Sequence, residues 1–368
     1  MEWRTDGGRV ATQLTEDGSM QAIRLTRPTH HAKDALQLEF VDAPRPPFGE
    51  NDVLIRVSTC AVCRTDLDVA EGRVSASHYP VVPGHQAVGE IEAVGSLVRE
   101  RKQGDRVGIA WIRWACGKCR WCVSGQENLC PRFQSNGCDG DGGYAEYVSA
   151  PAAFTIPIPA SLDDAHAAPL LCAGAIGWRS LRLADIQDGD PLGLTGFGAS
   201  AHLVLPMARH RHPSSPIYVF ARSEKERAFA RELGADWAGD ATEEPPRPLG
   251  AIIDTTPAWK PVVEALSKLM PGGRLVINAI RKNDADRSEL MRLKYETDLW
   301  MEREIKSVAN VTRQDVRDVL DVAARLSLSP TVETAPLAQA GAALERMRTG
   351  QAVQGATVLV VRKTSARA

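Results

Sequence analysis

The second half of the chain alternates short apolar runs with helix-patterned stretches: residues 192–195 then 199–209, 217–220 then 224–233, 251–254 then 262–269, followed by the runs 274–279 and 305–309. Strands this short, each followed by a helical repeat, predict an α/β fold whose sheet is parallel and joined by right-handed crossovers. The first of these strands runs into Gly196-Phe197-Gly198-Ala199-Ser200-Ala201, a G-x-G-x-x-A turn that opens a helix. Its glycines permit a tight turn and close backbone approach, and the helix start offers free N–H groups to a pyrophosphate. Such a hexapeptide alone is a weak signal, because Gly-rich turns occur without ligands. A strand before it, a helix after it and a second strand about twenty residues on give it weight.

A second constraint lies upstream. Cys116, Cys119, Cys122 and Cys130 are spaced C-x2-C-x2-C-x7-C between Trp114 and Pro131. Disulfides need separated, matched side-chain vectors, whereas cysteines at three-residue intervals around a glycine aim their sulfurs at one centre. Four thiolates enclosing a d10 ion point to structural zinc. Lys118, Arg120 and Arg132 are interleaved where they can offset the net −2 of such a site.

At 368 residues the chain exceeds the size of one core, so two domains are expected. A net charge of −2 gives no electrostatic reason to expect nucleic acid or an anionic membrane as partner. No apolar run approaches the roughly 18 residues of a membrane span, and residues 1–18 lack the apolar stretch of a signal peptide. A cytoplasmic location is expected, since reducing conditions keep thiols available for metal.

Two more stretches carry candidate ligands. Cys60-Ala61-Val62-Cys63-Arg64-Thr65-Asp66-Leu67-Asp68 follows an alternating run at 53–58, Gly84-His85-Gln86 lies about twenty residues further on, and Leu170-Leu171-Cys172-Ala173-Gly174 comes much later. The order Cys63, Gly84-His85, four-cysteine cluster, Cys172 and glycine turn resembles the zinc-dependent alcohol dehydrogenases of the medium-chain dehydrogenase/reductase superfamily, over about residues 20–361. The phrases LLCAGAIGWRSL, GLTGFGASAHL and WMEREIKSVANVTR are most similar to the bacterial branch grouped with the cinnamyl-type alcohol dehydrogenases.

The resemblance implies that Cys63, His85 and Cys172 hold a catalytic zinc, the four clustered cysteines a structural one, and that Asp66 orients His85. Chemistry agrees: two thiolates neutralise Zn²⁺, an imidazole adds no charge, and a fourth position stays open for substrate oxygen. It implies a hydride transfer between NAD(P)(H) and an alcohol or aldehyde, primary or aromatic favoured. The cofactor would meet Arg64, Gly196, Gly198, Ala199, Ser200, Ala221, Arg222 and Ser223. Ala221 stands where NAD binders place an acid, and Arg222 can pair with a 2′-phosphate, so NADP is favoured with NAD possible. The alternative is that Arg222 merely caps a solvated edge.

Departures from the family bear on the proton path. Thr65 is the hydroxyl that would take the alcohol proton, yet the position of the relay histidine reads Asp68. A carboxylate is a far weaker base at neutral pH than an imidazole titrating near 6.5, so the proton exit is altered or runs straight to water. Gln86 replaces the usual Glu beside the zinc, removing a negative charge. Gln354 stands where relatives carry an Arg, leaving one cation fewer for the phosphates.

The resemblance also implies organisation: an N-terminal extension 1–19, a GroES-like, mainly-β catalytic domain formed by 20–179 and 312–368, and a Rossmann doubly wound domain over 180–311. A homodimer or homotetramer is expected by analogy. Two other functions stay open: reduction of an activated C=N or C=C bond, and a non-catalytic NAD(P) sensor or structural relative. Cys60 and Cys138 receive no role. Trp111, Trp114 and Trp300 are candidates to line an aromatic slot, with core or surface packing equally open for each.

Overall fold

A computed structural model describes residues 18–31, 33–198, 200–351 and 354–362. Ala199 and all but the last two residues of the expected extension 1–19 lie outside the described residues. Six parallel strands form one sheet in the order Trp237–Gly239, Ile217–Phe220, Leu192–Thr195, Leu249–Asp254, Leu269–Ile277, Glu304–Ser307. The central strands are buried along their whole length, as parallel strands covered on both faces must be.

Strand periodicity divides their side chains between two layers. Leu192, Leu194, Val219 and Ile253 pack with Ala175, Trp178, Val204 and Met207 of the helices Ala173–Ala184 and Ala201–Arg211. Tyr218, Phe220, Ile252 and Leu275 pack with Val262 and Leu266 of the helix Lys260–Leu266 on the other face. Strand order reverses at Leu192–Thr195, whose neighbours belong to opposite directions of sheet growth. Ligands of doubly wound sheets bind above the carboxyl end of such a strand.

The second sheet is the expected mainly-β half. Its order is Val332–Pro336, Ala356–Val360, Asp52–Ala61, Ala87–Val94, Arg106–Ile109, Ile156–Pro157, with Tyr147–Pro151 also paired to Asp52–Ala61. Only its first pair is parallel.

One expectation changes. The helix expected over 262–269 is Lys260–Leu266, because Leu269 pairs with Leu249 as the start of the next strand and the chain turns at Gly272, φ 73°. The division expected at 179/180 falls inside the continuous helix Ala173–Ala184, which packs on the parallel sheet and on helix Arg313–Leu326. No helix among the described residues is long and apolar enough to cross a membrane.

Candidate active site and metal centres

Antiparallel pairing brings the first two candidate ligands together. Cys60 pairs with Ala87 at one end of the strands Asp52–Ala61 and Ala87–Val94, so Cys63, just past the first strand, and His85, just before the second, share one sheet end. Cys172 reaches the same point from the other half, as the residue preceding helix Ala173–Ala184. The three donor atoms lie within 4.8 Å of one another.

The arrangement is held from behind. Cys63 caps helix Arg64–Ala70, and Asp66, in its first turn, accepts the Cys63 N–H at 2.8 Å. The other Asp66 oxygen lies 2.9 Å from His85 Nδ1, and Tyr144 donates its hydroxyl to Asp66 at 2.9 Å. A carboxylate only accepts here, so Nδ1 carries a proton, and Nε2 is the nitrogen left to offer a lone pair once its own proton is displaced. Gly84 allows this: at φ 94° it sits where a Cβ would fall 2.4 Å from the Tyr144 ring. Trp111 meets His85 edge-on, centroids 4.9 Å apart.

His85 Nε2 is buried with no hydrogen-bond partner. A buried, orphaned imidazole nitrogen beside two thiols fits a metal ion better than any bond within the chain. Burial opposes charge on His85, but Asp66 and Cys63 overcome it and push its pKa up to about 10. A bond from Cys172 holds Cys63 well below the usual thiol range against the pull of burial, and Cys172 is driven well above it. An entering ion displaces these protons.

The four remaining ligand candidates also converge, with sulfurs within 4.8 Å. Backbone N–H groups face them: Cys116 donates to Cys130 Sγ, Cys119 to Cys116 Sγ and Arg132 to Cys130 Sγ, each at 3.4 Å. The amides of Lys118 and Cys119 lower the Cys116 thiol to about 5, which favours a thiolate. Arg120 and Arg132 lie over the indoles of Trp121 and Trp114 at 4.2 and 5.4 Å, so both cations are fixed beside the cluster.

Between the two sheets lies a cleft of about 730 Å³. Cys63, Arg64, Thr65, Asp68 and Gln86 line it from the mainly-β side, together with Cys172, Ser200, Thr255, Asn278, Arg281 and residues 307–311. Gly196 turns at φ 77°, where a Cβ would press on Thr255 and Thr256 at 2.9 Å, while a Cβ on Gly198 would meet nothing within 4 Å. The first glycine is required by packing; the second leaves open space over the helix start.

Other expected residues are placed with their partners. Asp68 is buried and its Oδ1 lies 2.6 Å from Arg73 Nε. Gln86 donates to Ala61 O at 3.3 Å. Ala221 is buried at the strand end, and Arg222 is exposed with no ion pair among the described residues. Ser223 is committed locally: its hydroxyl accepts from Glu226 N and donates to the Glu226 carboxylate. Of the three tryptophans, Trp111 lines the cleft, Trp114 packs against Arg132, and Trp300 is 55 % exposed beside Tyr295.

Sequence reasoning missed several residues. Cys138 lines the cleft, its thiol donating to Ser75 O at 3.2 Å and pushed by burial up to about 11. Lys282 is paired with the fully buried Asp254 and donates to Thr256 O and Ala258 O at 2.7 and 3.1 Å. Arg227 fixes the loop after strand Ile217–Phe220 by donating to Ala221 O at 2.8 Å. Arg281 adds a cation to the cleft, whereas Gln354 is exposed outside its lining. No short motif marks these residues; only the topology brings them in.

Residues 49–160 match the family model for the alcohol dehydrogenase GroES-like domain. The chain is 41 % identical over 348 residues to "Probable alcohol dehydrogenase AdhA" of Mycobacterium tuberculosis, covering 93 % of this chain and 98 % of that one. The cobalt- and zinc-bound thermostable alcohol dehydrogenase of Pyrobaculum aerophilum superposes with a TM-score of 0.80 at 25 % identity, over 94 % of this chain and all of the other. Cinnamyl alcohol dehydrogenase of Sorghum bicolor shares the fold, with a TM-score of 0.78 at 24 % identity over 93 % of this chain and 98 % of the other. With its mainly-β half, parallel nucleotide-type sheet and both ligand groups in place, the chain belongs to the zinc-dependent alcohol dehydrogenase family of the medium-chain dehydrogenase/reductase superfamily.

Proposed function

We propose that the chain transfers a hydride between NAD(P)(H) and an alcohol or aldehyde, primary or aromatic, with Cys63, His85 and Cys172 holding one zinc ion and Cys116, Cys119, Cys122 and Cys130 a second. The observation that carries this reading is the orphaned, buried Nε2 of His85, whose ring groups within 4.8 Å with the sulfurs of Cys63 and Cys172, two residues that line the cleft. Zinc in that position supplies Lewis-acid polarisation of the substrate oxygen.

The chain's own groups then have defined tasks. Asp66, steadied by Cys63 N–H and Tyr144 OH, keeps His85 in the tautomer that offers Nε2. Trp111, Phe133 and Val74 give the cleft an apolar wall suited to aromatic substrates. Thr65 is the hydroxyl that takes the substrate proton. Asp68, occupied by Arg73, does not accept it onward, and the proton passes to water. Arg64, Gly196, Gly198, Ala199 and Ser200 cradle the pyrophosphate. Arg222 meets the 2′-phosphate of NADP beside Ala221, while Ser223 serves the loop as a helix cap.

The division into 20–179 with 312–368, and 180–311, is part of the proposal, the chain crossing from one part to the other within the helix Ala173–Ala184. Homodimers form through Glu304–Ser307, the sheet's last strand, around which Tyr295, Trp300, Met301 and Ile305 are 42–59 % exposed. The eight free cysteines suit a reducing cytoplasm.

The test is zinc content with an NADPH- and NADH-linked screen of aromatic and aliphatic aldehydes, imines and enals serving as controls. Two zinc ions per chain and aldehyde reduction are expected. One zinc, retained in His85→Ala, with no aldehyde turnover would overturn the catalytic reading.

A further inference from the structure

The four-cysteine lobe is built against a wall of the cleft. Its short turn Glu127–Leu129 lies between Cys122 and Cys130 and contacts residues far away in sequence. Asn128 is 4 % exposed and donates its Nδ2 to Ala309 O at 2.6 Å. Glu127 is 8 % exposed, accepts Arg313 N–H at 2.8 Å and takes the Arg313 guanidinium on both oxygens, at 2.6 to 3.1 Å. A paired, charge-assisted contact of this kind fixes orientation as well as distance. Arg313 is locked further by Ala153 O at 3.0 Å and by the Phe154 ring at 4.4 Å.

The contacted segment matters because residues 307–311 line the cleft. One end is set by Val308 N–H on Ile277 O at 2.9 Å, the other by Thr312, whose hydroxyl meets Asp315 at 2.7 Å. Between them Asn310 is left-handed, φ 52°, a conformation that local sequence does not enforce. Asn128 grips the residue before it.

We propose that Glu127 and Asn128 are positioning residues for the nucleotide: the lobe, ordered by its metal, sets the conformation of 307–311, so lobe order and cofactor affinity are coupled. This rests on the reading that the cleft takes NAD(P)(H). Coupling between two sites is reciprocal, so nucleotide binding must also steady the lobe, although none of the four lobe cysteines lines the cleft. A brace that served stability alone would lower the melting temperature without linking the two sites.

The experiment uses the full, zinc-loaded chain. NADPH dissociation constants are measured by nucleotide fluorescence for the wild type, Asn128→Ala, Asn128→Asp and Glu127→Gln, with zinc counted in the same samples. Hydrogen exchange of residues 116–130 is followed in the wild type with and without NADPH. Expected are about five- to fifty-fold weaker NADPH binding in the variants with zinc retained, Asn128→Asp matching Asn128→Ala because the donor is gone, and slower lobe exchange when NADPH is bound. Affinities within twofold of wild type in zinc-retaining variants, or lobe exchange indifferent to NADPH, overturn the proposal. Should the variants lose zinc or fail to fold, wild-type exchange decides alone. A wild-type chain that binds neither NADPH nor NADH overturns the functional reading itself, which is a distinct result.

Discussion

Arg73 places its Nε 2.6 Å from Oδ1 of Asp68, closing an ion pair at the position where the family resemblance implies a relay histidine. Asp68 is buried in this pair and lines the cleft. A carboxylate held by a guanidinium, rather than an imidazole, stands at this position. The pH profile of alcohol oxidation will therefore lack an ionisation step near 6.5. Asp68→His installs an imidazole at the same place, and a new step in the range ordinary for histidine is the expected outcome. An unchanged profile in that variant removes position 68 from the proton path.

Arg222 is the exposed cation beside a strand end that lacks an acid. Replacing a charge-assisted phosphate contact typically costs about 1.5–3 kcal/mol. Arg222→Ala should lower kcat/KM for NADP by about 10- to 100-fold and leave that for NAD nearly unchanged. Equal losses with both cofactors would show that Arg222 does not read the 2′-phosphate.

Asp66 joins three groups, His85, Cys63 N–H and Tyr144 OH. Asp66→Asn keeps its shape but removes the charge that orients His85, and outer partners of metal ligands commonly govern about 10- to 100-fold in affinity or activity. Zinc lost to a chelator during dialysis should rise accordingly. Tyr144→Phe is the milder change: burial and the Asp66 carboxylate raise the phenol pKa, so it is a donor at all working pH values. Its loss should cost about 1–3 kcal/mol, read as a lower melting temperature.

Lys282 and Asp254 form a pair in which the carboxylate is fully buried and accepts further bonds from Thr195 and Thr256 at 2.6 and 2.8 Å. Lys282→Met strands that charge, and breaking one side of a buried pair typically costs about 3–5 kcal/mol. The double variant Lys282→Met/Asp254→Asn removes the stranded charge and should recover much of the loss. Thermal melts of the single and double variants check this; a double variant no better than the single one would show that the ammonium works through Thr256 O and Ala258 O instead.

Much of this architecture was legible because the deciding signals were local. The strands at 192–195 and 217–220 coincide with the expected runs, since a short apolar segment ended by Gly or a small polar turn leaves little choice of boundary. The helix expected to reach 269 stops at Leu266, and Leu269 pairs with Leu249 instead; periodicity alone cannot separate a helix end from a buried strand start when each places a leucine at the junction. Clustered cysteines disclose themselves by spacing. Glu127–Arg313 spans 186 positions and Lys282–Asp254 spans 28, and their partners are ordinary charged residues in sequence. Ser223 shows the converse: its place in the loop suggested a phosphate contact, and the competing demand of the helix start claimed its hydroxyl.

Cys172 stands between the turn Ala168–Leu171, which packs on the mainly-β sheet, and the helix packed on the parallel sheet, while Cys63 and His85 are fixed at the end of the mainly-β sheet. An ion shared by these three side chains would act as a rivet joining the two halves. Gaping would then be confined to the outer rim, and any breathing that admits or frees a dinucleotide would swing around this fastened corner, leaving the reacting end at nearly constant width.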